Sequence, residues 1–271
     1  MTSGQHNTNR ALLATCVAAA ARAAEIIRER SADRDAIVWE RKSAFDFVSD
    51  VDRSAEGAIS DIILARHPDA RMRGEELSPM MSDQSGLVFV VDPLDGTTNF
   101  LHAFPWYAVS IAAQIDGELA AAAVLNVPNG ELFTATAGGG TRLNGRPVKV
   151  SPNTDPTRAL IATGFPFKGG PEVDEYLLML PRVMNESSGI RRAGAAALDL
   201  ANVACGRFEA FWELSLSPWD IAAGILLIRE AGGIVTDLRG DPCPVEHTGM
   251  VTGNPTMHAW LLEIIRSRGG A

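Results

Sequence analysis

The chain predicts a mixed α+β and α/β fold, and three features carry that prediction. Two helical stretches precede a series of short apolar strands in the first 150 residues. Beyond that point strands and helices alternate. Hydrophobic residues make up 46% and charged residues 21% of the 271 positions, the balance of a packed globular chain rather than a disordered or coiled-coil one. At about 150 residues per domain, the length suggests one to two domains. The composition shifts at the polar, proline-containing stretch Ser151 to Thr157. The boundary is placed there, with an N-terminal α+β half over 1–150 and a C-terminal α/β half over 151–271.

Residues 9–30, rich in Ala, Leu and Arg, predict a helix. Within it, Ala11 to Ala21 has the apolar look of a signal-peptide core, but only Arg10 precedes it as a basic residue. The pattern also runs on through Arg22, Glu25 and Ile27 to Arg30, so one Ala-rich helix is expected. A short strand at Ile37 to Glu40 and a polar hairpin to Val48 follow. Ser49 or Asp50 can cap a second helix reaching about Arg66, with Ala55, Ile59, Ile62 and Ile63 on its apolar side. His67-Pro68 ends it. Leu87 to Val91 is a continuous apolar run of strand length, expected to be buried on both faces and to end at Asp92.

Strands near 106–116 and 119–127 come next, and Asn129-Gly130 and Asn144-Gly145 mark tight turns around Leu132 to Ala135. In the second half, strands near 159–163, 207–214, 233–237 and 249–252 alternate with helices near 172–186, 195–205, 218–231 and 254–267.

Acidic residues outnumber basic ones 33 to 24, a formal net charge of −9. That excludes a sheath of phosphate-contacting Lys and Arg, and with it nucleic acid as the main partner. No run approaches the roughly 18 apolar residues of a membrane span, so no membrane partner is expected. The three cysteines, Cys16, Cys205 and Cys243, form neither a disulfide framework nor a zinc pattern and fit a reducing, cytoplasmic setting.

The most informative segment is Asp92-Pro93-Leu94-Asp95-Gly96-Thr97-Thr98-Asn99-Phe100. A buried strand feeds a turn fixed by Pro93, and Asp95 stands where a short helix begins. The carboxylates of Asp92 and Asp95 and the Leu94 carbonyl can converge, offering only hard oxygens, which select Mg²⁺, Mn²⁺ or Ca²⁺ over zinc. The N–H groups of Gly96, Thr97 and Thr98 at a helix start can meet an anion. Further acids stand in similar settings: Glu75-Glu76 in a loop before the Leu87 strand, Asp46 and Asp52 around the second helix start, Glu213 at a strand end, and Asp220 in a first helical turn. Each alone reads as a cap or a solvated acid.

Together these motifs resemble the inositol monophosphatase family. Gly74-Glu75-Glu76, the Asp92 to Phe100 run, and Trp219-Asp220-Ile221-Ala222-Ala223-Gly224 followed by Glu230-Ala231-Gly232-Gly233 occur in that family's order and spacing. Asp46 to Asp52 matches its D-x-V-T-x-x-D stretch, with Ser49 in the Thr position. Thr163-Gly164-Phe165-Pro166-Phe167 and Arg191-Arg192-Ala193-Gly194 to Leu200 resemble the bacterial branch.

The resemblance implies a layered α–β–α–β–α sandwich of the sugar-phosphatase type, usually a homodimer. It also implies a lithium-sensitive phosphomonoesterase using two to three Mg²⁺ ions, with Mn²⁺ as a substitute. Carried over by position, Glu75, Asp92 and the Leu94 carbonyl would hold one metal, and Asp92, Asp95 and Asp220 a second. Thr97, held by Asp52, would help Glu75 activate water. Gly96, Thr97 and Thr98 would hold the phosphate, Glu213 and the backbone around Gly194 to Ala196 would meet the alcohol, and Asp95 and Asp220 would also contact the substrate. Ala195 departs from the pattern, standing where relatives carry Ser or Thr.

The expected substrate is a small phosphate ester, myo-inositol 1-phosphate or a related polyol phosphate. Histidinol phosphate, fructose 1,6-bisphosphate and 3′-phosphoadenosine 5′-phosphate are the alternatives on the same scaffold, together with a regulatory role through a protein partner. Glu213 favours a polyol, because a carboxylate accepts from hydroxyls and repels a second phosphate. His102 is read as a cap or surface residue, Lys42 as solvated, and Phe104, Trp106 and Tyr107 as core.

Overall fold

The computed structural model describes residues 3–33, 37–43, 46–77, 85–166 and 171–267. The first helix, α1 (Ser3–Ser31), begins six residues before its expected start. It buries Leu12, Cys16, Ala19, Ala20, Ala23, Ala24 and Ile27, a stripe of helical spacing made mostly of small side chains. Strands β1 (Trp39–Ser43) and β2 (Asp46–Ser49) form the expected antiparallel ribbon. The side chains of Lys42 and Asp46 lie outside the described residues, as does Phe167.

Helix α2 (Asp50–Arg66) opens with a capping box: Ser49 is the N-cap, and the Asp52 side chain accepts from the Ser49 N–H. Val51, Ala55, Ile59 and Ile63 face inward, and the His67 N–H closes the helix on the Ile63 carbonyl.

Seven strands make the first sheet. They are β3 (Arg71–Gly74), β4 (Leu87–Asp95), β5 (Ala108–Ile115), β6 (Glu118–Asn126), β7 (Leu132–Thr136), β8 (Gly140–Leu143) and β9 (Arg146–Val148), side by side in that order. Only the β3–β4 pair is parallel. A short helix, α3 (Thr97–Leu101), lies between β4 and β5.

β4 is buried on both faces, as its unbroken apolar run implies. Phe89 and Val91 join the cluster with α1 and α2, while Val88 and Val90 join the opposite one.

The second sheet has five strands. β10 (Leu160–Thr163), β11 (Gly189–Arg191), β12 (Ala210–Leu216), β13 (Ile234–Thr236) and β14 (Thr248–Gly253) lie in the order β11-β10-β12-β14-β13. Three helices come between them in sequence, α4 (Pro171–Glu186), α5 (Ala196–Ala204) and α6 (Pro218–Glu230), and α7 (Pro255–Arg266) follows the last strand.

α5 and α6 are packed between the two sheets, sharing a core with Val88, Val90 and Phe133 on one side and Ala162, Phe211 and Met250 on the other. α4 and α7 cover the far face through Tyr176, Met179, Val183, Leu261 and Ile265 against Ile161, Trp212 and Val251. The layers therefore run α–β–α–β–α, as the family resemblance implies.

Two strands escape sequence reading, β3 and β11. Each has three or four residues, RMRG and GIR, and each is an edge strand with one neighbour. Neither carries the alternation that marks a half-buried strand. The three cysteines are free, and among the described residues no helix is long and apolar enough to cross a membrane.

Candidate active site

β4 does not stop at Asp92. It runs on to Asp95, and its pairing with β5 slips there: Asp92 faces Ser110 and Asp95 faces Ala108, so β4 carries one extra residue. Pro93, which cannot donate to the ladder, sits in that bulge. The bulge re-aims two acids that plain alternation would separate. The Asp92 Oδ1 accepts from the Leu94 N–H at 3.0 Å.

Asp95 precedes the short helix rather than opening it, because Gly96, at φ 91°, is the N-cap of α3 and has no side chain to cap with. Thr97 then donates its hydroxyl to Asp52 Oδ1 at 2.8 Å, with the Leu94 carbonyl 3.1 Å away. Asp52 is thus shared between its own helix cap and Thr97.

Glu75 reaches the same place through β3. Gly74 pairs with Val91, and the Glu75 N–H donates to the Val91 carbonyl at 3.2 Å, which seats Glu75 beside Asp92. The turn that follows is held by Glu56, a fully buried carboxylate on α2 accepting from Glu76 N–H at 2.8 Å and Leu77 N–H at 3.0 Å. A Cβ on Gly74 would lie 2.0 Å from Glu56 Oε1. Gly74→Ala is therefore expected to push that carboxylate off the turn, costing about 1–3 kcal/mol of stability. Turnover should fall with it while the helix content holds, checked by thermal melting, circular dichroism and steady-state kinetics on one preparation.

The remaining acids come from the second half of the chain. Asp220 is the third residue of α6, where Oδ2 accepts from the Ser217 N–H at 2.7 Å in a capping box, and the Trp219 carbonyl meets Ser110 of β5. Glu213 lies inside β12 rather than at its end, just before the pairing with β14 slips. A Cβ on Gly164 would fall 2.1 Å from its carboxyl, so only glycine leaves room there.

Asn99 joins the two halves. Its Nδ2 donates to the carbonyls of Trp106, Ala193 and Gly194 within 3.2 Å, which brings the start of α5 against α3. Ala195, the N-cap of α5, has no hydroxyl to cap with. Asp95 takes over: its Oδ2 accepts from the Ala197 N–H at 2.8 Å.

These acids act on one another. Burial, followed by repulsion from Glu75, Asp95 and Asp220, holds the Asp92 carboxyl well above the ordinary range. Burial raises Asp95 to about 7, with Glu75 adding to the rise and the N–H groups of α5 opposing it. Glu213 is raised well by burial and then by Asp220, Asp199 and Asp95, against the pull of Arg192. Asp199, in the first turn of α5, is raised by burial and by Asp95 and is eased by Arg192. Asp52 is raised by burial despite its hydrogen bonds to Ser49 and Thr97.

Glu75, Asp92, Asp95, Glu213 and Asp220, far apart in the chain, thus meet at the seam between the sheets. Among the described residues no three acids, histidines or cysteines already stand at ligating distance around one point. The cluster is electrostatic rather than a closed coordination shell, and all its donors are hard oxygens.

Sequence reasoning passed over Glu56, Asn99, Asp199 and Arg192. Asn99 lies inside the Asp92 to Phe100 motif, and Glu56 follows Asp52 by four residues on one helix, a spacing that points both to one side. Arg192 and Asp199 both lie inside the Arg191 to Leu200 motif, which assigns neither a role. Phe104 proves exposed at 51%, not core, while Tyr107 is buried and Trp106 half-buried. His102 is the exposed C-cap of α3.

The profile of the inositol monophosphatase family matches residues 8–269. The chain belongs to the inositol monophosphatase family. Within that family it is 44% identical over 252 residues to Nus factor SuhB of Pseudomonas aeruginosa, covering 91% of this chain and 93% of that one. It is equally, 44%, identical over 225 residues to inositol-1-monophosphatase of Rhizobium meliloti, covering 83% and 85%. The crystal structure of extragenic suppressor protein suhB from Bartonella henselae superposes with a TM-score of 0.90 at 40% identity, covering 94% of this chain and 98% of that one. The family and its inositol-1-monophosphatase relative support a phosphatase of small phosphate esters on the layered fold found here.

Proposed function

We propose that the chain is a Mg²⁺-dependent phosphomonoesterase that hydrolyses myo-inositol 1-phosphate or a related polyol phosphate to the alcohol and inorganic phosphate. The observation that carries this reading is the Asp92 carboxyl, buried and pressed upward by Glu75, Asp95 and Asp220 at once. Two carboxylates about 4 Å apart repel by roughly 4 kcal/mol at an effective dielectric near 20, so such a nest rejects a phosphate ester unaided.

The donor set suits small hard cations: Glu75, Asp92 and the Leu94 carbonyl for one, and Asp92, Asp95 and Asp220 for another. Those residues would hold a divalent cation, which would supply positive charge toward the phosphoryl oxygens and make an attacking water more acidic. The chain's own groups do the rest. Asp52 fixes the Thr97 hydroxyl, and Thr97 with Glu75 orients the attacking water and takes its proton. The N–H groups of Gly96, Thr97 and Thr98 hold the phosphate. Glu213 accepts from the alcohol's hydroxyls, beside the Gly194 to Ala196 backbone. Inhibition by lithium, replacement by Mn²⁺ and a homodimer belong to the same reading.

A panel of phosphate esters assayed with Mg²⁺ and again with chelator tests it. Inositol 1-phosphate should turn over fastest and chelator should abolish activity; equal or faster turnover of histidinol phosphate would overturn the ranking. A second reading, a regulatory role through a protein partner, is favoured by the relatives named Nus factor SuhB, which match as closely as the named phosphatase. It predicts an undiminished regulatory function in a chain whose Asp220 has been replaced by Asn.

A further inference from the structure

Away from the acidic nest, a cavity of about 730 Å³ lies between the start of α1 and the β7–β8 hairpin. Its polar lining is basic or neutral: His6, Asn7, Arg10, Thr134, Thr136 and Arg142, with no carboxylate among the lining residues. In a chain of net charge −9, two arginines on a cavity whose lining has no carboxylate are a local reversal of sign.

Among the described residues Arg10 has no hydrogen bond or ion pair, and Arg142 donates only to the Gly145 carbonyl at 3.0 Å. The nearby acid, Glu230, is already engaged: its two oxygens accept from the N–H groups of Gly138 and Gly140 at 2.8 Å each.

The walls are built rather than loose. Asn9 donates to the Ala137 carbonyl and so ties α1 to the hairpin, while Thr141 donates to the Leu227 carbonyl of α6 at 2.6 Å. The cavity opens to solvent, and Arg10 and Arg142 stand exposed at its rim.

The cavity is separate from the nest. Thr136 pairs with Ala121, which pairs with Ala113, which pairs with Phe89. That is three strand spacings from β4, about 14 Å, and three residues, about 10 Å, back along the sheet from Asp92.

We infer that this cavity is a second binding site, one that takes a small multiply charged oxyanion, phosphate- or carboxylate-bearing, between Arg10 and Arg142. Guanidinium forks grip either group in paired hydrogen bonds, and Thr134, Thr136 and Asn7 supply neutral partners for the remaining oxygens.

The test is calorimetric titration of the full chain with pyrophosphate and, separately, with citrate, both in excess chelator. Chelator silences anion binding at the acidic nest, so any saturable binding reports the second site. Wild type and Asp220→Asn should bind at least one of the two anions alike, and the tighter of the two names the group preferred. The double variant Arg10→Ala, Arg142→Ala should bind at least tenfold more weakly at an unchanged melting temperature, since both side chains are exposed. Arg10→Glu alone should weaken binding in the same direction. The absence of saturable binding of either anion to wild type, or binding by the double variant within twofold of wild type, would overturn the site. Neither result depends on whether the chain hydrolyses phosphate esters.

Discussion

Asp95→Asn should lose about a thousandfold in phosphomonoesterase turnover at saturating Mg²⁺, a loss of the size seen when a centre of transition-state charge stabilisation is removed. It should nevertheless melt within a few degrees of the parent chain. Asp95 does two jobs that this substitution separates. Its charge belongs to the nest with Asp92, Glu75 and Asp220. Its Oδ2 also accepts the Ala197 N–H at 2.8 Å, capping a helix whose own N-cap residue, Ala195, has no hydroxyl. An asparagine keeps an acceptor of the same shape and so keeps the cap, but it removes the charge.

Asp95→Ala removes both, and the lost cap should cost about 1 kcal/mol, or roughly 2–4 °C in a chain of this size. Adding Ala195→Ser to Asp95→Ala should recover part of that melting loss and none of the turnover. Paired melting and kinetic measurements on the variants check this. Wild-type turnover by Asp95→Asn would remove the metal assignment.

The metal-free protein should also lose stability as pH rises from about 5 to about 8, and saturating Mg²⁺ should remove most of that slope. The sign follows from the raised carboxyls. Asp95 sits at about 7 in the folded chain against an ordinary value of 3.8, and Asp92 is pushed up in the same direction. A carboxyl whose folded value is raised binds its proton more tightly in the native state. It therefore contributes stability below its unfolded value and loses that contribution as pH climbs through the folded one.

Divalent ions replace the protons as the source of positive charge, so the loss should be largest in chelator. Melting curves across pH with chelator and with Mg²⁺ measure it, and Asp95→Asn should show a shallower slope in chelator than the parent chain. A melting temperature in chelator that stays level or rises across this range would contradict the buried acidic nest.

Much of the local structure is legible in the chain. The apolar run Leu87 to Val91 announces a strand buried on both faces, though it runs past Asp92 to Asp95, and of the two expected caps, Ser49 and Asp50, Ser49 is the N-cap. The short edge strands β3 and β11 are not legible, because each is stabilised by one neighbour and shows no burial pattern of its own. Phe104 is misread as core for the opposite reason: an aromatic ring beside a motif looks buried until the loop carrying it is seen to face outward.

What the chain determines by itself is the chemistry on offer: hard oxygen donors at Asp92, Leu94 and Asp95, N–H groups at a helix start, and motifs spaced as in one phosphatase family. Only the tertiary structure decided that Glu75 comes alongside Asp92 through a parallel edge pair, and that Asp95 caps a helix a hundred residues away. Tertiary structure likewise placed Glu56 and Asn99 as supports of the nest and Asp199 as a further buried acid that adds to its repulsion. Side-chain periodicity records which face of an element leaves water, whereas the partner of that face is chosen by packing between segments distant in the chain. The mutual repulsion of the buried acids is of that second kind, since charges separated in sequence have no common potential until folding excludes the water between them.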